Sequence, residues 1–501
     1  MLAILQFDAA SAALIDKMLG DGRLPTLAAL RGRGVWHELD APATKFAAGA
    51  QHTLYSGVEL GVHGLFYPFQ WSAASQRVHY MGDLPAPAPV WERLGRTGNR
   101  TLAVDPYESR PPTAAPPGAL VCGWQLHDRV VLQQWSAPDD THARLERLFG
   151  APEPVDEVFG RHTVGEMLGL RRRLLQAPDR VADAAALFLA DQPFDLAWLT
   201  FCAAHVAGHQ FWDLSQLDAD DLDADTTHVL GGTLEQVYQA VDAALARVVA
   251  ALPAGADLLV VSPVGMDVNT SRADLLPEML RAVLDPEAAR PGPSRSIWKL
   301  RAALPSGLRA KVASALPERT ALDLTARLEM RGVDWKTTRA FAHPAENQGY
   351  VRLNLQGRER DGIVPPEQAD DLLDEIAAGL RTFVDLDGSP AVESVDRVAD
   401  LFGTGDRAHQ LPDLLVRWTA RPATRIEGVR SDRYGTVLRH GVGSGRSGNH
   451  TEGDAWALVV PGASRLVEPA RPPRLEDVAA TAAALAGQDT SDMAGDPLLE
   501  R

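Results

Sequence analysis

Residues 256–262 read Ala-Asp-Leu-Leu-Val-Val-Ser and follow residues 234–252, whose apolar side chains recur at helical spacing. A near-continuous apolar run behind an amphipathic helix is the pattern of a strand covered on both faces. Strands of that kind belong to parallel sheets flanked by helices. The pairing recurs along the chain. Residues 194–200 form an apolar run behind the alanine-rich residues 180–191, residues 100–105 follow a helix stopped by Gly98, and residues 1–7 open the chain as a first strand ending at Asp8. Helices over 9–18 and 26–34 come next. This alternation predicts an α/β fold with a mostly parallel central sheet. Further strands are expected over 349–354, 411–418 and 454–460, with helices over 273–284, 366–383 and 475–487. Residues 136–177 carry mixed charge and little periodicity, and they give no assignment.

A chain of 501 residues is long enough for one large domain of this kind with insertions. Residues 1–501 are read as that single domain. Within it, residues 285–345 shift toward Arg, Pro and Trp, with Trp298 and Trp335 among them. They read as an insertion: a lid, an oligomer contact or a pair of packed accessory helices. Hydrophobic content of 45% and charged content of 23% are those of a globular chain. The net charge of −17 disfavours nucleic-acid polymers and anionic membranes, which need basic patches. It leaves room for a small phosphorylated substrate, because one local metal site outweighs the global field. The two cysteines, Cys122 and Cys202, make no disulfide framework and suit a reducing compartment. The start Met1-Leu-Ala-Ile-Leu has no basic segment, no cleavage site and too short an apolar run to span a membrane, so a cytoplasmic location is expected.

Residues 201–213 place His205 and His209 four apart, directly behind the strand over 194–200. On a helical turn both imidazoles share one face and reach one metal ion. The bland alternative is two polar side chains at a strand-to-helix junction. This is not the zinc-protease helix motif, since Val206 stands where that motif has its glutamate base. A glycine-rich stretch over 441–453 carries His450. Its string Gly443-x-Gly445-x-x-Gly448 is not a dinucleotide fingerprint, because no helix opens from it and its unit is not βαβ. Asp8 ends the first strand, where open α/β sheets place ligands, and it equally suits a cap for the helix behind it. Thr44, beside Lys45, stands near the start of a helix closing at Ser56-Gly57. Helix N-termini favour anions, and an ordinary N-cap reading of Thr44 is also open. His63-Gly64 follows, and the strand over 256–262 leaves through Ser262-Pro263-Val264-Gly265-Met266.

Taken in order, these motifs resemble those of the alkaline phosphatase superfamily, and in particular its type I phosphodiesterase and nucleotide pyrophosphatase branch. The resemblance covers most of the chain apart from residues 285–345. It implies a three-layer αβα sandwich with a mostly parallel central sheet and an inserted helical segment. It further implies two zinc-type metals at the carboxyl end of the sheet and a Thr or Ser that attacks phosphorus between them. Carried onto this chain, it makes Asp8, His209 and His450 metal ligands. Thr44 becomes the candidate nucleophile, with Lys45 as a substrate-binding charge beside it. Gly57 and His63-Gly64 match the landmarks after the nucleophile helix.

Two departures alter the expectation. The aspartate of the family's Asp-x-x-Gly-His is His205 here, so His205, His209 and His450 make a three-imidazole set with a fourth position open, as in catalytic zinc sites. The family's Ser-Asp-His-Gly-Met is Ser262-Pro263-Val264-Gly265-Met266, and neither Pro nor Val coordinates. Asp8 and Thr44 remain at that second site, with Asp267 and Asn269 as the nearest replacements. Counting back from Ser56-Gly57 as in the family lands on Ala47, three residues past Thr44. The expectation is a metal-dependent hydrolase of phosphoric esters, acting on a phosphodiester or nucleotide-like substrate through one His-rich divalent-metal site, zinc by its ligands. The alternative is a catalytically degenerate member that binds a ligand or a partner.

Overall fold

An eight-stranded sheet organises the chain, in the order Val35–Glu38, Trp456–Val460, Asp257–Ser262, Leu2–Phe7, Leu196–Phe201, Thr101–Val104, Gly118–Cys122, Trp135–Ala137. In this computed structural model the described residues are 1–42, 46, 49–128, 130–155, 162–285, 318–328, 330, 333–345, 347–402, 405–441 and 443–501. The strands from Asp257–Ser262 across to Gly118–Cys122 run parallel. Trp456–Val460, Val35–Glu38 and Trp135–Ala137 join antiparallel at the two edges. The apolar runs behave as their composition requires: every residue of Leu2–Phe7, Leu196–Phe201 and Asp257–Ser262 is buried.

Successive side chains of a strand point to opposite faces, and the first strand shows what covers each. Phe7 meets Tyr238 of the helix Thr233–Ala251, ring centroids 5.0 Å apart. Gln6, on the other face, accepts from the Tyr55 hydroxyl of the helix Ala50–Ser56. Helices Pro25–Arg31, Val164–Asp191, Ala203–Phe211 and Thr233–Ala251 pack together on the Phe7 side. Ala50–Ser56, Val90–Arg96 and Glu476–Leu485 pack together on the Gln6 side. The arrangement is the three-layer αβα sandwich that the family resemblance implies.

Local signals explain where the boundaries differ from the sequence reading. The first helix is Ala12–Gly20, and Ser11, not Asp8, caps it by accepting from the Leu14 amide. The stretch over 136–177 that gave no assignment holds the helix Thr141–Phe149 and the first half of Val164–Asp191. That 28-residue helix starts at a reciprocal capping box between Thr163 and Glu166 and runs through Pro178, whose missing N–H and φ restriction broke the pattern in sequence.

Between Asp257–Ser262 and Trp456–Val460 the chain builds a second, antiparallel sheet, in the order Ala340–His343, Gly349–Leu353, Leu414–Trp418, Val392–Arg397. It has its own apolar cluster with the helices Leu276–Leu284 and Ala369–Leu380. Of the expected insertion over 285–345, residues 286–317, Trp298 included, lie outside the described residues. The remainder holds the helix Glu318–Leu328 and the strand Ala340–His343, so it is not wholly helical. Trp335 packs on Trp71 of the hairpin Phe69–Tyr80 with centroids 4.8 Å apart. Among the described residues no helix is long and apolar enough to cross a membrane.

Candidate metal centre

Parallel register brings three strand ends to one rim. Phe7 pairs with Phe201 and Gln6 with Val261, so Asp8, Cys202 and Ser262 leave the sheet side by side. The helix Ala203–Phe211 starts immediately after Cys202, and its period places His205 and His209 on one face. His450 arrives from far along the chain. The glycine-rich stretch is not loop throughout: Gly448–His450 is a short strand paired antiparallel with Met266–Val268, His450 opposite Met266. Glycine makes this approach possible. A Cβ on Gly448 would lie 2.1 Å from the Gly208 carbonyl oxygen, and one on Gly208 would lie 2.6 Å from Cγ of Met266.

The three imidazoles converge. His205 Nε2 lies 3.0 Å from His209 Nε2 and 3.0 Å from His450 Nε2. One ring nitrogen from each lies within 4.8 Å of the others. The outer nitrogens of two rings decide what the inner ones present. His209 Nδ1 is 3.0 Å from the Gly448 carbonyl oxygen, which only accepts, so Nδ1 carries the proton. His205 Nδ1 is 2.6 Å from Asp8 Oδ2 and donates to it in the same way. In the neutral form of each ring, with Nδ1 so engaged, the Nε2 lone pair faces inward. Burial holds His209 and His450 well below the ordinary imidazole range, and the neighbouring Arg446 charge adds to it. Nitrogens bound to zinc at tetrahedral angles stand roughly 3.3 Å apart, close to the separations here.

Asp8 was expected as a ligand and stands behind His205, outside the three-imidazole group. Its Oδ1 accepts from the side-chain amides of Gln6 and Gln51, each at 2.8 Å. Burial raises the Asp8 pKa, but the His205 interaction and these hydrogen bonds outweigh it and hold the carboxyl below its usual range. Thr44, Lys45 and Ala47 lie outside the described residues. Of the other second-site candidates, Asp267 is exposed and receives the Val268 amide. Asn269 is buried and spent on Ser444, Arg446 and Ser271. Asp267 belongs to no group of three or more His, Cys, Asp or Glu ligands among the described residues. His63 is satisfied internally, accepting from the Leu65 amide at Nδ1 and bonded to Thr53 at Nε2.

Sequence reasoning missed Gln6, Gln51, Tyr107 and Arg446. The Tyr107 ring lies 4.6 Å from that of His205, and Arg446 is 3% exposed. Gln6 carried a usable signal: it is a polar residue inside an apolar strand, two before Asp8 and so on the same face.

Phosphonoacetate hydrolase from Sinorhizobium meliloti 1021, in complex with phosphonoacetate, shares the fold with a TM-score of 0.54 at 14% identity, over 97% of this chain and 95% of that one. The same enzyme in complex with phosphonoformate gives 0.50 at 13% identity, over 97% and 95%. Murine ectonucleotide pyrophosphatase / phosphodiesterase 5 gives 0.49 at 12% identity, over 100% of both chains. No curated protein sequence matches the chain. The profile of the type I phosphodiesterase / nucleotide pyrophosphatase family matches residues 2–442, and with that span covering most of its length the chain belongs to this family of phosphodiesterase-type hydrolases.

Proposed function

We propose that the protein is a metal-dependent hydrolase of phosphoric esters whose single divalent-metal site is His205, His209 and His450. The observation that carries this reading is the convergence of the three imidazole nitrogens, two of them with their other nitrogen's proton committed elsewhere. Three imidazole nitrogen donors and a fourth position left for substrate suit zinc. An ion held there supplies Lewis-acid stabilisation of the charge that develops on a phosphoryl oxygen. The protein's own residues hold the rings in place and exclude water from behind them: His205, His209 and Asp8 are 3%, 1% and 0% exposed. Arg446 adds a buried positive charge beside His209 and His450, which favours an anionic substrate. Thr44 is assigned as nucleophile and Lys45 as the charge that meets the phosphoryl group. Support comes from the family resemblance and from the helix Ala50–Ser56 that follows them in sequence, whose Gln51 is bonded to Asp8.

The substrate is a small phosphodiester or nucleotide-like molecule, since the charge of −17 disfavours nucleic-acid polymers and anionic membranes. Two buried, unbridged cysteines support a cytoplasmic location. Residues 1–501 act as one unit, with the second sheet inserted between two neighbouring strands of the first. A second reading, ligand binding without turnover, is favoured by Pro263 and Val264 standing where the resembling family supplies ligands.

Full-length protein purified without chelator should carry about one zinc per chain. His209→Ala or His450→Ala should abolish that binding, and hydrolysis of bis-p-nitrophenyl phosphate should disappear with it. Thr44→Ala should remove turnover and leave the zinc in place. Absence of both bound metal and turnover with added Zn²⁺ or Mn²⁺ overturns the proposal, whereas bound zinc without turnover supports the second reading.

A further inference from the structure

The polarity of the buried hydrogen bonds behind His205 can be traced to a group that has no choice. The indole N–H of Trp198 only donates, and it lies 3.0 Å from Gln6 Oε1. The hydroxyls of Tyr55 and Thr200 approach the same oxygen at 3.3 and 3.4 Å. The Gln6 amide is thereby fixed with its NH2 on the opposite side. There it donates to Asp8 Oδ1 at 2.8 Å and to Gln51 Oε1 at 2.9 Å. By accepting at its oxygen, Gln51 is turned so that its own NH2 meets Asp8 Oδ1 at 2.8 Å. An oxygen that accepts two amide N–H groups bears no proton. The other oxygen, Oδ2, faces His205 Nδ1 at 2.6 Å. Three of the roughly four lone-pair positions of the carboxylate are thus used by this chain.

We infer that Asp8 is a positioning residue and not a metal ligand. Through a relay from Trp198, Gln6 and Gln51 it fixes the tautomer and orientation of His205, so that Nε2 faces His209 and His450. The purpose of this relay rests on the metal reading above, but its geometry does not depend on a metal. All its members are fully or nearly fully buried, Gln51 being the most exposed at 6%. Water therefore does not compete for these hydrogen bonds, and the polarity set at one end reaches the other.

The test uses full-length, ¹⁵N-labelled, metal-free protein. Its His205 imidazole signals are assigned as those lost in His205→Ala, and zinc titration of the same samples follows. Wild type should show His205 protonated at Nδ1 and unprotonated at Nε2, and it should bind one equivalent of zinc. Asp8→Asn should lose the fixed tautomer, still bind one equivalent, and bind it about 10- to 100-fold more weakly. Trp198→Phe keeps an aromatic ring and removes only the donor. It should mix the two tautomers while the far-ultraviolet circular dichroism stays unchanged, and it serves if Asp8→Asn does not fold. A wild-type His205 protonated at Nε2 overturns the inference. So do two zinc equivalents in wild type falling to one in Asp8→Asn. A wild type that shows the Nδ1–H tautomer but binds no zinc upholds the relay and defeats the metal reading.

Discussion

Two glycines make the site possible at the residue scale. The backbone of Gly448 sits against the carbonyl of Gly208, one residue before His209, so the strand carrying His450 lies directly on the helix carrying the other two imidazoles. A methyl group at 448 meets a backbone oxygen that cannot rotate away. Gly448→Ala should therefore shift His450 and weaken zinc binding at least tenfold, at a stability cost of about 1–3 kcal/mol. Isothermal titration and urea denaturation of the same sample check both effects, and unchanged zinc affinity would show that the close contact is not what positions His450. His205 is the other decisive residue. The family motif has an aspartate there, and the chain accommodates an imidazole because Asp8 takes its outer N–H at 2.6 Å.

At the scale of single elements, the helix Glu476–Leu485 carries a group under strain. Glu476 opens this helix at 6% exposure, and burial, with Glu59 nearby, pushes its carboxyl up to about 7. The folded state then holds a proton that the unfolded chain releases above its ordinary value of 4.5. This contribution to stability is complete below that value and is lost as pH rises through about 7. Across pH 5 to pH 8, urea unfolding should show Glu476→Gln gaining roughly 2–3 kcal/mol on wild type, a difference in which the other titrating groups cancel. Glu476→Gln, which mimics the protonated side chain, should be the more stable protein at pH 8. Elements also differ in how legible they were. The strands Leu2–Phe7 and Asp257–Ser262 announced themselves because burial on both faces leaves mostly apolar residues. Val164–Asp191 was half hidden, because Pro178 is a helix breaker by local rules and is tolerated here on the buried face of a helix packed on Thr233–Ala251.

At the scale of the whole molecule, a buried ion pair joins the segment leaving the main sheet to the short strand Val384–Asp385. Arg272, in the segment leaving the main sheet, is 0% exposed and makes a two-pronged contact with Asp385 at 3.0 and 2.7 Å. It also donates to the Thr419 carbonyl oxygen at 3.1 Å. Removing Arg272 leaves the buried Asp385 carboxylate to the partly exposed Arg421, 3.3 Å away. Arg272→Ala should therefore destabilise the protein by about 3–5 kcal/mol, while the double replacement Arg272→Met with Asp385→Leu should recover much of the loss. Thermal denaturation of the three proteins decides this, and an Arg272→Ala protein as stable as wild type would remove the pair from the account.

Periodicity and composition by themselves determined the alternation of strands and helices, the parallel sheet and the shared face of His205 and His209. Those features follow from local geometry, with repeats of two residues along a strand and about four along a helix. The ordered motifs added His450 to the set. The tertiary structure alone decided that His450 meets His205, a residue 245 positions away, through a two-stranded pairing and a glycine contact that no local pattern encodes. It also decided that Asp8 turns to His205, Gln6 and Gln51 and not into the imidazole cluster. A carboxylate at a strand end has several partners open to it in sequence. Which of them it takes is set by the donors that the fold buries beside it, and those come from three separate elements.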